Sequence, residues 1–297
     1  MAGEPTAFAS LTPLEPLMDK CVHCGFCLPT CPSYLLLGQE MDSPRGRIYT
    51  MRAGLEGRVP MSAPVVAHFD TCLGCMACET ACPSGVKYAP LIERTRAAVE
   101  QHHRRPLADR AFRTLLFQLL PYPRRLRALT IPMLATRALA RLPLVRALLP
   151  RRMAAMLALA PDVSLRDTRQ RVPTRTAAVG ERRLRVGLLT GCVQQAFFGR
   201  VNQATARVLS AEGCEVVAPA DQGCCGALGL HAGEPDMARA RARRLIALFE
   251  REQVDVVAVN AAGCGSSMKE YGHLLADDPA WQARAAAFSA RVKDVTE

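Results

Sequence analysis

The chain has 297 residues, a net charge of +11 and thirteen cysteines, bunched as four between 21 and 31, four between 72 and 82, and five after 190. That length suits about two domains of 100–200 residues with a core that needs no disulfide staples. About 4% cysteine is below the density of disulfide scaffolds, and tight C-x-x-C runs hold metals, so a secreted disulfide framework is excluded.

Residues 1–20 contain Glu4, Glu15 and Asp19, with no basic stretch leading into an apolar one, so no secretory leader is expected. No run reaches about 18 apolar residues. The longest uncharged stretch, Cys21 to Gln39, carries Ser, Thr, Gln and two prolines. The expected compartment is a reducing cytoplasm, where thiolates stay free to ligate metal. The charge is local: Arg104 to Arg175 holds 16 Arg and no Lys against three Asp, a net +13, which leaves −2 for the rest.

In chain order, residues 1–103 hold two copies of one motif. Cys21-Val-His-Cys24-Gly-Phe-Cys27-Leu-Pro-Thr-Cys31-Pro32 returns 51 residues later as Cys72-Leu-Gly-Cys75-Met-Ala-Cys78-Glu-Thr-Ala-Cys82-Pro83. This C-x2-C-x2-C-x3-C-P run is the bacterial ferredoxin signature, in which the fourth Cys ligates the other cluster. Three closely spaced thiolates wrap one face of a cubane, and the proline projects the fourth away. The expectation is two [4Fe–4S] clusters, one on Cys21, Cys24, Cys27 and Cys82, the other on Cys72, Cys75, Cys78 and Cys31. Structural zinc pairs two C-x2-C knuckles across a longer loop, which two identical four-Cys runs do not match. Between the copies, Asp42-Ser-Pro-Arg-Gly-Arg-Ile reads as a turn entering a short helix. Arg45 and Arg47 either lie over a cluster, raising its potential, or are solvated on that turn. His23 reads as an exposed spacer. A helix is expected over Leu91–His103, with Pro90 at its start.

Residues 104–183 form an Arg-rich connecting segment broken by Pro106, Pro121, Pro123, Pro132, Pro143, Pro150 and Pro161. Each proline is expected to limit a helix. Apolar faces (Leu134/Ala138, Leu142/Val145) oppose Arg137 and Arg141. The segment is either a solvated linker or a docking surface for anionic lipid or an acidic partner. Its only aromatics are Phe112, Phe117 and Tyr122, too few for base stacking, so nucleic acid is not an expected partner.

Residues 184–297 alternate apolar runs (Leu184–Thr190, Glu215–Pro219, Val254–Asn260) with helical patterns (Arg200–Glu212, Pro235–Arg251), the signature of a parallel α/β sheet. Cys192 follows the first run, Cys224 and Cys225 the second, Cys264 the third. The carboxyl ends of parallel strands converge where such folds build sites, so these four cysteines form a candidate metal or cluster site. A redox dithiol pair and a structural role stay open beside it. Cys214, at the end of a helix, reads as core. The fold class is thus α+β and multidomain: a helical two-cluster ferredoxin-type domain (1–103), an Arg-rich helical segment (104–183) and one α/β cysteine-rich module (184–297).

The double ferredoxin motif followed by Cys192…Cys224-Cys225-Gly226…Cys264 resembles the iron–sulfur subunits of bacterial glycolate oxidase. Related families are the iron–sulfur subunits of heterodisulfide reductase, anaerobic glycerol-3-phosphate dehydrogenase and lactate utilisation. The stretches Asp42-Ser-Pro-Arg-Gly-Arg-Ile-Tyr and Asn260-Ala-Ala-Gly-Cys-Gly…Lys269-Glu-Tyr-Gly-His273 look most like the glycolate member. The resemblance implies an electron-transfer subunit. It would pass electrons from FAD on partner subunits, through two [4Fe–4S] clusters, to a quinone or other acceptor, either in the cytoplasm or against the inner face of the cell membrane. No G-x-G-x-x-G fingerprint is present for a flavin here, and no catalysis is expected from this chain alone. Lactate, glycerol 3-phosphate or a heterodisulfide are the alternative substrates; a basic binding protein with structural clusters is the other class. Family members carry two Cys-Cys-Gly modules, whereas this chain reads as one, as in a C-terminally truncated member. Cys264-Gly-Ser-Ser267 stands where relatives often have C-x-x-C, so a further iron–sulfur cluster in this module lacks one of the family's sulfurs.

Overall fold

The computed structural model describes residues 7–139, 148, 150, 154, 155, 158, 159, 164 and 166–297. The chain divides into two compact units, residues 1–110 with 228–238, and residues 111–227 with 239–297.

The first unit is built on short helices: Pro32–Leu37, Pro44–Leu55, Ala63–Asp70 and Tyr88–His102. Prolines open the first three from their first two positions, where a missing N–H costs nothing. Ser43 caps the second, its Oγ accepting the Gly46 N–H at 3.0 Å. The turn expected at Asp42 therefore enters a helix of twelve residues. The helix expected from Leu91 begins three residues earlier, at Tyr88, because Glu79 Oε1 accepts the Ala89 N–H at 2.6 Å. Phe8, Leu11, Met18, Ile48, Met51, Phe69, Leu91 and Ile92 form the core, with Cys21, Cys72, Cys78 and Cys82 packed at its margin.

The second unit contains a five-stranded sheet in the order β1-β3-β2-β4-β5, namely β1 (Arg175–Thr176), β2 (Leu184–Leu189), β3 (Cys214–Val217), β4 (Val256–Val259) and β5 (Val292–Asp294). β2 pairs in parallel with β3 and β4, and β4 with β5. The three expected strands are present, as are the helices Gly199–Ala211 and Pro235–Arg251. The sheet is not purely parallel, because β1 joins β3 antiparallel. β1 and β5, two and three residues long, carry no apolar run to announce them. Cys214 opens β3 rather than ending a helix, and is buried beside Val186 and Ala258.

Within the Arg-rich segment the helices are Leu107–Leu119, Pro123–Ala128 and Thr130–Leu139. Pro106 and Pro123 bound helices as expected. Pro132 does not; it lies in the first turn of Thr130–Leu139, where its absent N–H is not needed. Arg141, Leu142, Pro143, Val145 and Pro161 lie outside the described residues, as do the side chains of Arg137 and Ala138. Among the described residues no helix is long and apolar enough to cross a membrane.

Gly187 in β2 lets the sheet meet the Pro235–Arg251 helix: a Cβ there would lie 2.7 Å from Phe249 Cδ1, and Phe249 is fully buried. Gly187→Ala is therefore expected to destabilise this unit by about 1–3 kcal/mol through overpacking. The measurement is denaturant unfolding followed by the single tryptophan, Trp281, which packs on the same core. An unchanged midpoint would mean that Phe249 yields without cost.

Candidate metal centres

The two ferredoxin motifs repeat in backbone conformation as well as in sequence. His23 and its counterpart Gly74 have φ of 53° and 65°; Gly25 and its counterpart Met76 have φ of 90° and 56°. Each loop thus turns left-handed just before and just after its second cysteine. Each uses glycine, which adopts this conformation freely, at only one of the two places. The turns leave Cys24 and Cys75 exposed, while Cys21, Cys27, Cys72, Cys78 and Cys82 are half-buried and Cys31 is buried.

Backbone N–H groups aim at the sulfurs: Gly74 at Cys72 Sγ (3.5 Å) and Val86 at Cys82 Sγ (3.4 Å). The Tyr88 hydroxyl reaches Cys72 Sγ at 3.8 Å. Burial pushes the Cys78 thiol up to about 12, helped by the neighbouring charges of Cys72, Cys27 and Cys75. Burial likewise raises Cys21, with Cys82 and Cys24 as charged neighbours. Cys82 of the second motif is thus close enough to act on Cys21 of the first. Half-buried sulfurs that resist bare ionisation, with N–H donors at Cys72 and Cys82, fit bound iron, whose charge compensates the thiolates and releases their protons. Among the described residues no three Cys, His, Asp or Glu side chains meet at single-ion spacing; a four-iron cubane sets its ligands further apart, one thiolate per iron.

Cys31 belongs to a buried network that the sequence reading did not anticipate. Its Sγ lies 3.2 Å from Ser33 Oγ, and Ser33 donates to the Asp42 carbonyl at 2.8 Å. Arg47, 1% exposed, donates from Nη2 to Ser33 Oγ (3.0 Å), Thr71 Oγ1 (2.9 Å) and Asp42 Oδ1 (3.4 Å), and from Nε to the His68 carbonyl (2.6 Å). Burial pushes the Asp42 carboxyl up, but hydrogen bonds from Thr71 and His68 and the nearby cations outweigh it, holding it below the usual range. Arg47 is thus the opposite of solvated. Arg45 lies over the first motif, donating to the His23 carbonyl at 2.8 Å and paired with Glu40 at 2.7 Å. Its counterpart one repeat on, Arg96, lies over the second, donating to the carbonyls of Cys72, Phe69 (3.0 Å) and His231 (2.6 Å). The 51-residue repeat therefore includes a covering arginine, a signal available in the sequence. His23 is exposed, edge-on to Tyr49 at 6.1 Å.

In the second unit, Cys192, Cys224, Cys225 and Cys264 do come together. Cys192 and Cys225, together with the Gly226 N–H that donates to Cys224 Sγ at 3.4 Å, lower the Cys224 thiol, with Arg241 as a nearby charge. Cys225 also lowers the Cys264 thiol, while Cys224, Cys264 and burial raise its own. Cys264 sits in the first turn of the Ala262–Lys269 helix. Ser267, on the same helix, is buried. The loops are fixed by amides at the carboxyl edge of the sheet. Gln222 accepts the Thr190 N–H and donates to the Leu188 carbonyl, at 2.8 and 2.9 Å. Asn202 donates to the Thr190 carbonyl, and Asn260 to Asn202 and Thr205, all at 2.9 Å. The Tyr271 hydroxyl, buried against Phe288, donates to the Cys225 carbonyl. Polar residues without a catalytic motif gave no sign of these roles.

Comparison with known proteins finds two matching stretches. Residues 17–86 match a 4Fe-4S dicluster domain and residues 186–269 a cysteine-rich domain. The chain is 40% identical over 283 residues to a probable glycolate oxidase iron–sulfur subunit of Bacillus subtilis (strain 168), covering 93% of this chain and 64% of that protein. It is 39% identical over 287 residues to the glycolate oxidase iron–sulfur subunit of Escherichia coli (strain K12), covering 95% and 65%. The chain thus spans about two thirds of the length of either relative, a little less in each case. Lactate utilization protein A of Exiguobacterium is 33% identical over 112 residues, 38% of this chain. No solved structure matches. The chain thus combines a 4Fe-4S dicluster domain with a cysteine-rich domain and is similar along nearly its whole length to the glycolate oxidase iron–sulfur subunits.

Proposed function

We propose that this chain is the electron-carrying subunit of a complex oxidising glycolate to glyoxylate. It would receive electrons from FAD on partner subunits and deliver them to a quinone or other acceptor. The observation that carries the reading is the pair of cysteine loops with matching left-handed turns, with Cys82 of the second copy close enough to act on Cys21 of the first. Bound [4Fe–4S] clusters supply one-electron redox chemistry. The chain's own part is to hold them: Cys21, Cys24, Cys27 and Cys82 one, Cys72, Cys75, Cys78 and Cys31 the other. Gly74, Val86 and Tyr88 direct hydrogen bonds at the sulfurs. The extent of similarity favours glycolate over lactate, since the lactate utilization relative matches only over 38% of the chain. In the cysteine-rich module, Cys192, Cys224, Cys225 and Cys264 are the candidate ligands of a further iron–sulfur cluster. The Arg-rich segment connects the two modules and supplies a surface for the inner face of the cell membrane.

Anaerobically prepared protein is expected to contain about eight iron and eight sulfide in the ferredoxin half, as two cubanes require. Cys82→Ser is expected to damage the cluster held by Cys21, Cys24 and Cys27; loss of the Cys72–Cys78 cluster instead would refute the ligand exchange. Zinc without iron would end the reading.

The isolated chain is expected to show no glycolate oxidation with artificial acceptors. Activity, and reduction of the iron–sulfur spectrum by glycolate, should appear only on adding a flavoprotein partner. Flavin bound to this chain alone, or reduction by lactate and not glycolate, would overturn the assignment.

For the membrane, flotation with vesicles of increasing anionic lipid content should show binding that weakens at high salt. Binding indifferent to both would leave the segment as a linker.

A further inference from the structure

The two ferredoxin repeats are alike in their cysteines, turns and covering arginines, but they differ behind the last cysteine. Each run closes as Cys-Pro-Ser, at Cys31-Pro32-Ser33 and Cys82-Pro83-Ser84. Behind Ser33 stands Arg47; one repeat later that place belongs to Ala98. At Cys82 the donor within reach is the Val86 backbone N–H at 3.4 Å. At Cys31 it is the Ser33 side chain at 3.2 Å.

The donors at this point can be counted. Ser33 Oγ receives an N–H from Arg47, so its single proton is left for the Asp42 carbonyl or for Cys31 Sγ. As a free thiol, Cys31 itself donates to that carbonyl at 3.6 Å. A ligating thiolate has no proton and becomes an acceptor, and the hydroxyl of Ser33 is then its nearby donor. The arrangement rests on a fully buried ion pair, Arg47 with Asp42, of a kind that contributes little to stability for its desolvation cost. Its bonds to Ser33, Thr71 and the His68 carbonyl hold Ser33 in one place.

We propose that Ser33, positioned by Arg47, donates a hydrogen bond to the cluster-ligating sulfur of Cys31 and so makes the Cys31-bound cluster the higher-potential one of the two. A hydrogen bond to a ligand sulfur favours the more negative, reduced state and raises the potential. Tyr88, whose hydroxyl reaches Cys72 Sγ, acts in the same direction on the same ligand set. With both clusters bound, the ligand set of Cys72, Cys75, Cys78 and Cys31 would favour the reduced state more than that of Cys21, Cys24, Cys27 and Cys82. Ser33 and Arg47 are positioning residues for this difference.

This inference rests on the two-cluster reading above, and the experiment separates the two. The full chain is loaded anaerobically, its iron and sulfide are counted, and both midpoints are titrated by EPR. Failure of the wild type to show two [4Fe–4S] signals would sink the two-cluster reading. With both signals present, Ser33→Ala is expected to keep the iron and lower one midpoint, shifting the electron partition about tenfold, ~59 mV for one electron. That midpoint must be the higher one and the one that Cys75→Ser also disturbs. Ser33→Thr, which keeps the hydroxyl, should restore it. Where Ser33→Ala fails to assemble, Arg47→Lys, which keeps the charge but loosens Ser33, must lower the same midpoint. Two unmoved midpoints, or movement of the cluster on Cys21, would overturn the proposal.

Discussion

A guanidinium that is 1% exposed must find acceptors for its protons inside the protein, because an unpaired buried charge costs several kcal/mol. Arg47 finds them at four groups on three segments: Ser33, Asp42, and the His68 carbonyl with Thr71. Ser33 is two residues past the last cysteine of the first motif, and Thr71 is one residue before the first cysteine of the second. The network therefore ties the end of one cysteine run to the start of the next. Removing Asp42 would leave a buried charge without its counterpart, whereas removing Ser33 or Thr71 would take away one of its neutral acceptors. The helix that carries Arg47 also brings Arg45 over the first loop, so this one element sets the surroundings of both motifs.

The second unit meets a similar demand without charge. The carboxyl edge of a parallel sheet leaves backbone groups that no further strand pairs. Gln222 and Asn202 satisfy them with side-chain amides, which have both donor and acceptor to offer, and Asn260 braces Asn202 from the loop after β4. In doing so they pin the loops after β2, β3 and β4, which carry Cys192, Cys224 with Cys225, and Cys264. β2 is central, with β3 on one side and β4 on the other, so the cysteines gather at the switch point where open α/β sheets form sites.

The cysteines were legible because their chemistry depends on spacing along the chain, and spacing is what a sequence displays. The long elements were legible for the same reason: Pro235–Arg251 repeats its apolar residues for more than four turns. The networks were not. Ser33, Asp42, Thr71 and Gln222 are ordinary polar residues whose roles depend on which distant group they meet, and no local period encodes that. Arg47 was visible as a candidate, but burial decided its role, and burial is a property of the fold. β1 and β5 exist only because a neighbouring strand is there to pair with.

The Arg-rich segment shows the limit of charge counting most directly. A net +13 over 72 residues suggests a surface free to bind an anion, but several of these cations are already engaged. Arg105 meets Asp70 and Glu100, both at 2.7 Å. Arg127 donates to the Gln195 carbonyl at 3.0 Å. Arg125 and Arg241 both stack on Tyr122, 4.2 and 4.8 Å from its centroid. Arg241 is also the cation nearest in effect to Cys224. Tyr122 thus helps to hold a positive charge from the Pro235–Arg251 helix near Cys224, while engaging Arg125 of the segment itself. Whatever the segment binds, it does so with the arginines that remain after the protein's own acids, carbonyls and rings have taken theirs.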